Sequence, residues 1–144
     1  MGKRVRDAMT AEVRAAGPTQ SLADAAKLMK QQDVGSLPVV EDGRLIGIIT
    51  DRDIVVRAVA EHVDTQSMNV GEVASRNPVT VEPEQELDEA LALMARYRVR
   101  RLPVVEDGTL VGVLAQADVA REGGEKKAGE MLEQISEPGS APSE

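Results

Sequence analysis

Apolar residues fall in two rhythms along this chain, and the whole succession is written twice. Leu22, Ala25, Ala26 and Met29 stand at i, i+3, i+4 and i+7, as do Leu87, Ala90, Leu91 and Met94. That spacing lays one apolar stripe down an α-helix and points the rest of it to water. Ser21 opens the first stripe with Asp24 three residues on, a capping box whose side chains satisfy free backbone N–H groups. After each stripe the rhythm shortens. Leu37-Pro38-Val39-Val40 and Leu102-Pro103-Val104-Val105 read as short buried strands, with a proline that restricts each to an edge or an end because it cannot donate to a ladder. Asp42-Gly43 and Asp107-Gly108 then predict hairpin turns, since Asp-Gly suits a turn in which both central residues need positive φ.

The return strands cover residues 45–49 and 110–114, and each carries an interior glycine, Gly47 or Gly112. Glycine weakens a strand and often marks the close approach of another backbone or a ligand. A second helix starts at Thr50, with Ile54, Val55, Ala58 and Val59 expected to face inward; its counterpart runs from about Ala115 to Arg121. Shorter first strands are expected at residues 13–16 and 79–81, preceded by lead-in turns at residues 4–9 and 70–74. Each copy therefore reads β-α-β-β-α, an α+β fold. Residues 34–53 return as residues 99–118 with a shift of 65 and no gap, and eleven of the twenty positions are identical. Internal repetition on that scale is one structural unit used twice. The expected division is 1–66 for the first copy with its lead-in, 67–122 for the second, and 123–144 for a tail. In that tail residues 126–135 could form a short helix, and residues 136–144 have the composition of disorder.

Composition narrows the picture. One repeat alone buries little surface, so the copies are expected to share a core. With one Tyr, no Phe and no Trp, Val, Ile, Leu, Met and Ala must fill it. The lack of cysteine excludes disulfides, thiolate metal sites and a cysteine nucleophile. No signal peptide and no apolar run long enough for a bilayer is present, which predicts a cytoplasmic protein without a membrane partner. A net charge of −8 argues against nucleic acid as a partner. Against that background Arg96, Arg98, Arg100 and Arg101 crowd into six residues. They read either as a solvated helix end that suits the helix dipole or as an anion site for a small phosphorylated ligand. His62 beside Glu61 and Asp64 reads as a solvated helix end rather than a metal site, and with a single His and no P-loop or Gly-x-Ser-x-Gly the chain reads as no enzyme.

The residues that carry chemistry are those from Gly47 to Asp53. Thr50 and Asp53 stand in the first turn of a helix, where a hydroxyl, free N–H groups and the positive dipole end can hold a phosphate or phosphorylated sugar. A carboxylate there can accept hydrogen bonds from two vicinal hydroxyls, as acidic residues do with ribose. The same Thr-x-x-Asp is also a plain capping box. In the second copy Ala115 replaces Thr50 while Asp118 remains, which leans toward a role for the acid beyond capping.

The doubled unit, the Pro-Val-Val-Glu-Asp-Gly hairpin and the Gly-x-x-Thr-x-x-Asp ending resemble a pair of cystathionine β-synthase (CBS) domains, a Bateman module, over about residues 4–122. The resemblance implies two repeats related by a pseudo-two-fold axis, packed through their sheets, with clefts between them that bind AMP, ADP, ATP or S-adenosylmethionine. It implies ligand contacts from Gly47, Thr50 and Asp53 in the first copy and from Gly112 and Asp118 in the second. Pro38, Pro103 and Thr80 would line the base pocket, and Arg100 and Arg101, which replace Gly35 and Ser36, could neutralise phosphates. Ala115 puts a second, equal site in doubt. The implied function is a non-catalytic sensor, without catalytic cofactor or metal, that forms a homodimer and changes its own assembly or the activity of a protein partner. A ligand-free dimeric scaffold is the alternative.

Overall fold

A computed structural model describes residues 2–123. In chain order they form α1 (Val5–Ala8), α2 (Leu22–Gln32), β1 (Ser36–Glu41), β2 (Arg44–Thr50), α3 (Asp51–Ile54), α4 (Val70–Val73), α5 (Leu87–Tyr97), β3 (Arg101–Glu106), β4 (Thr109–Ala115) and α6 (Gln116–Gly123). The helix and tail expected over residues 126–144 lie outside the described residues.

Both stripes became helices. Ser21 Oγ accepts the Asp24 amide at 3.1 Å to start α2, and of the stripe residues Leu22, Ala25 and Met29 are buried while Ala26, expected to join them, is exposed. Leu87, Ala90 and Met94 are likewise buried in α5. Each helix stops at a left-handed residue, Asp33 (φ 55°) or Arg98 (φ 54°), after which the chain turns back to a strand. The hairpins follow the expected turn chemistry: Asp42 and Gly43 have φ of 52° and 80°, and Asp107 and Gly108 have 52° and 81°. Positive φ at both central residues matches the turn to the twist of the flanking strands. Register places Leu37 opposite Ile49 and Val39 opposite Gly47 in one hairpin. Leu102 opposite Leu114 and Val104 opposite Gly112 repeat it in the other.

The short first strands do not extend into ladders. Ala16 donates to the Pro38 carbonyl and accepts from the Val40 amide, both at 2.9 Å, and the pairing ends there as a single parallel bridge. Prolines stop it on both sides. The next bond in one direction needs an N–H from Pro38, and in the other an N–H from Pro18. Val81 bridges Val104 in the same way, bounded by Pro103 and Pro83. Two prolines thus limit this pairing to one residue on each hairpin, which also blunts the edge as a template for another chain.

The chain divides into two compact units that do not follow the repeat boundary. One joins residues 2–13 to residues 79–123, and the other spans Arg14–Pro78. In the first unit Val5 donates to the Gln85 carbonyl at 2.9 Å, and Thr10 exchanges two 2.9 Å bonds with Val113. In the second, Val70 donates to the Gln20 carbonyl at 2.8 Å, and Ser75 exchanges two 2.9 Å bonds with Ile48. The lead-in expected to accompany the first copy therefore completes the body of the second, and the segment after residue 66 completes the body of the first. Their cores are aliphatic throughout: Val5, Met94, Leu102 and Leu114 are buried in one unit, and Leu22, Val39, Ile49 and Val70 in the other.

One expectation about packing is corrected. Ile54 and Ala58 are buried, at 8% and 0% exposure, but Val55 and Val59 are each 56% exposed and Val56 49%. Residues 54 and 58 form one column of the helix and residues 55 and 59 the next, and only the first meets the core. Past Ile54 the backbone widens into a π-helical turn, Val55–Val59, closed by a bond from the Ala60 amide to the Val55 carbonyl. No helix among the described residues is long and apolar enough to cross a membrane.

Candidate functional site

The junction between β2 and α3 is built by three constraints. Gly47 comes first: a Cβ there would stand 2.6 Å from the Ser75 carbonyl oxygen. The space that a side chain would need is taken by backbone, which is why this strand carries glycine. Two residues on, Ile49 is fully buried and anchors the strand end. Thr50 then caps α3, and its side chain is buried, with 1% exposure. Its Oγ1 accepts the Asp53 amide at 3.0 Å, and its own amide donates to Asp53 Oδ2 at 3.0 Å. The capping box is thus closed in both directions and buried.

Asp53 is 9% exposed. Its Oδ2 is engaged by the Thr50 amide, while Oδ1 has no protein donor among the described residues. A buried carboxylate at the first turn of a helix is stabilised by free N–H groups and the positive end of the dipole. The oxygen left over can accept a hydroxyl. Next to it, the Asp51 amide donates to the Gly35 carbonyl at 2.9 Å, and the Asp51 carboxylate lies against the Gly35 Cα, where a Cβ would meet Oδ2 at 3.0 Å.

The corresponding junction between β4 and α6 keeps the frame and changes the chemistry. Gly112 is again required by backbone, since a Cβ would stand 2.8 Å from the Thr10 carbonyl oxygen. The Ala115 amide donates to Asp118 Oδ2 at 3.1 Å, but Ala115 has no hydroxyl to return the bond. Asp118 Oδ1 accepts from Arg121 Nη2 at 2.5 Å. Gln116 donates its amide to the Arg100 carbonyl at 2.8 Å, and its Oε1 is buried without a hydrogen-bond partner. Sequence reasoning passed over both Arg121 and Gln116. The signal was present for Arg121, an i,i+3 pair with Asp118, but it lies beyond the motif.

The remaining residues singled out in the sequence separate by unit. Pro38, Gly47, Thr50 and Asp53 belong to the unit spanning Arg14–Pro78; Thr80, Arg100, Arg101, Pro103, Gly112 and Asp118 belong to the other. Pro38 and Pro103 are buried inside their strands rather than at the strand start, and Thr80 is half-buried ahead of the Val81 bridge. Arg100 and Arg101 are exposed, with Arg101 opposite Ala115 in register. Arg96 lies over the Tyr97 ring at 5.5 Å, and no ion pair engages Arg96, Arg98, Arg100 or Arg101 among the described residues. The polar group near His62 has other work. Asp64 accepts from the Gln66 amide and the Ser67 hydroxyl, and these bonds hold its carboxyl below the usual carboxylate range.

The cap itself is testable. Thr50→Ala removes the hydroxyl that receives the Asp53 amide, and ligand-free stability is expected to fall by about 0.5–2 kcal/mol, read from the midpoint of urea unfolding. Ala115→Ser supplies the missing oxygen in the other unit and is expected to move the midpoint the opposite way.

Comparison with known proteins agrees with the doubled architecture. The sequence model of the CBS domain matches twice, over residues 5–59 and 70–125. The CBS domain-containing protein YhcV of Bacillus subtilis is 44% identical over 133 residues, covering 92% of this chain and 94% of that protein. Among solved structures, CBSX2 in complex with AMP aligns with a TM-score of 0.73 at 30% identity, covering 83% of this chain and 95% of that one. The CBS domain pair of MJ0100, in complex with 5-methylthioadenosine and S-adenosyl-L-methionine, aligns with a TM-score of 0.74 at 29% identity, covering 88% and 99%.

Proposed function

Because this chain belongs to the CBS-domain family, we propose that it is a non-catalytic regulatory module that binds an adenosyl ligand at the β2–α3 junction. AMP, ADP, ATP and S-adenosylmethionine are the candidates. One observation carries the reading: Asp53 is buried at the opening turn of a helix with one carboxylate oxygen fixed by the Thr50 amide and the other unengaged. That free acceptor suits a ribose hydroxyl, and Thr50 lies beside it for the adjoining phosphate or sugar oxygen. Support comes from CBSX2 and MJ0100, whose structures hold AMP and S-adenosyl-L-methionine. In the second copy, Asp118 with Gly112, Pro103 and Thr80 keeps part of this frame and Arg100 and Arg101 add positive charge, but Ala115 leaves it without the Thr50 hydroxyl.

Regulation requires that the ligand favour one arrangement of the chain, or of its assembly, over another. We assign that role to a cytoplasmic homodimer that acts on a protein partner. Val55, Val56 and Val59, exposed on one helix face, give a second copy an apolar surface to cover. The alternative, a ligand-free dimeric scaffold, draws on the closed Thr50–Asp53 box, which needs no ligand to be satisfied. Thermal unfolding in the presence of AMP, ATP or S-adenosylmethionine separates the two. The sensor is expected to melt higher with at least one of them; the scaffold would melt at the same temperature with all three. Scanning calorimetry suits the test, since a chain without Trp offers little fluorescence signal.

A further inference from the structure

We infer that the two copies are unequal by construction, and that Arg121 closes the second copy's carboxylate so that the chain takes one adenosyl ligand rather than two. The inference rests on the sensor reading above and concerns how many sites it has. The two junctions superpose in sequence with the constant shift of 65, so each residue has a defined counterpart. Asp53 corresponds to Asp118, Thr50 to Ala115 and Val56 to Arg121.

The carboxylates start from the same frame. Both accept the amide three residues back through Oδ2, at 3.0 Å in the first copy and 3.1 Å in the second. They differ at the other oxygen. Asp53 Oδ1 has no protein partner among the described residues, and Val56, at the position that could reach it, is apolar. Asp118 Oδ1 is held by the Arg121 guanidinium, with the Asp118 side chain 11% exposed. A ribose hydroxyl approaching that oxygen must compete with an ion-paired guanidinium for its lone pairs, and a neutral donor competes poorly with a charged one already in place. Ala115 removes the neighbouring hydroxyl as well, so a ligand arriving there would find neither contact that Thr50 and Asp53 offer. Arg121 is a positioning residue: it sets the availability of Asp118 and needs no contact with ligand.

Transplanting the first copy's residues tests this. Titration calorimetry with AMP is run on the wild type, Ala115→Thr, and the double variant Ala115→Thr with Arg121→Val, each checked for cooperative unfolding first. The wild type and Ala115→Thr are expected to bind one AMP per chain. The double variant is expected to bind two, and adding Asp53→Asn to it should leave one. Two AMP per chain in the wild type, two in Ala115→Thr alone, or one in the double variant would each overturn the role of Arg121 while leaving the sensor reading intact. No heat from AMP in either the wild type or the double variant would overturn the sensor reading for AMP, and the inference with it.

Discussion

Gly47→Ala is expected to lower stability by about 2–4 kcal/mol, the sum of an overpacking cost of about 1–3 kcal/mol and the loss of roughly one backbone hydrogen bond worth about 1 kcal/mol. The reason is geometric. The new Cβ would sit 2.6 Å from the Ser75 carbonyl oxygen, and that carbonyl is fixed by its own bond from the Ile48 amide. Neither strand can move without breaking the pair that ties residues 67–78 to the body of the first copy. Gly35→Ala is the control. Its Cβ would meet only the tip of the Asp51 side chain, at 3.0 Å, which can rotate away. Urea unfolding of the two variants should therefore differ by more than 1 kcal/mol, with Gly47→Ala the less stable. Equal midpoints would mean that the glycine answers to something other than backbone contact, such as room for a ligand.

Asp53→Asn is expected to abolish ligand-linked stabilisation while leaving the ligand-free chain close to the wild type. Asparagine keeps one oxygen to accept the Thr50 amide, so the change in the absence of ligand should stay within about 1 kcal/mol, the range of a first-turn charge at a helix start. With ligand at about a hundred times its dissociation constant the wild type gains about 2.7 kcal/mol, and the variant should gain almost none of it. The comparison is made by scanning calorimetry with and without AMP at one fixed concentration. A variant that melts as high as the wild type with AMP would remove Asp53 from the site.

The parts of this fold that depend on local spacing were readable in the sequence. The stripes of α2 and α5, the Asp-Gly turns and the constant shift of 65 all survive, because each is decided by residues within a turn or two of one another. The first strands were overextended, although the information was present: Pro18 and Pro38 remove the two amides that a longer ladder would need, as do Pro83 and Pro103. The inward facing of Val55 and Val59 failed for a different reason. An apolar residue next to a core column is indistinguishable in sequence from one inside it, and the widening to a π-helical turn has no sequence mark. The composition of the units was hidden as well, since the pairing of Val5 with Gln85 joins residues eighty positions apart.

The candidate site was half legible. Thr50 and Asp53 were identified from their spacing, and the choice between capping and binding could not be made there because one geometry serves both. The structure shows that capping uses only one carboxylate oxygen. For Gly47 and Gly112 the sequence allowed a backbone or a ligand, and the coordinates put a carbonyl oxygen against each. Arg121 acts on Asp118 from outside the motif, and only the side-chain geometry brings the two together.

A crystal structure of the chain grown with AMP addresses the central claim at the atom concerned. The account predicts AMP with its ribose hydroxyls on Asp53 Oδ1 while Oδ2 keeps the Thr50 amide. AMP seated on other residues, with Asp53 bonded to Thr50 alone, would contradict it.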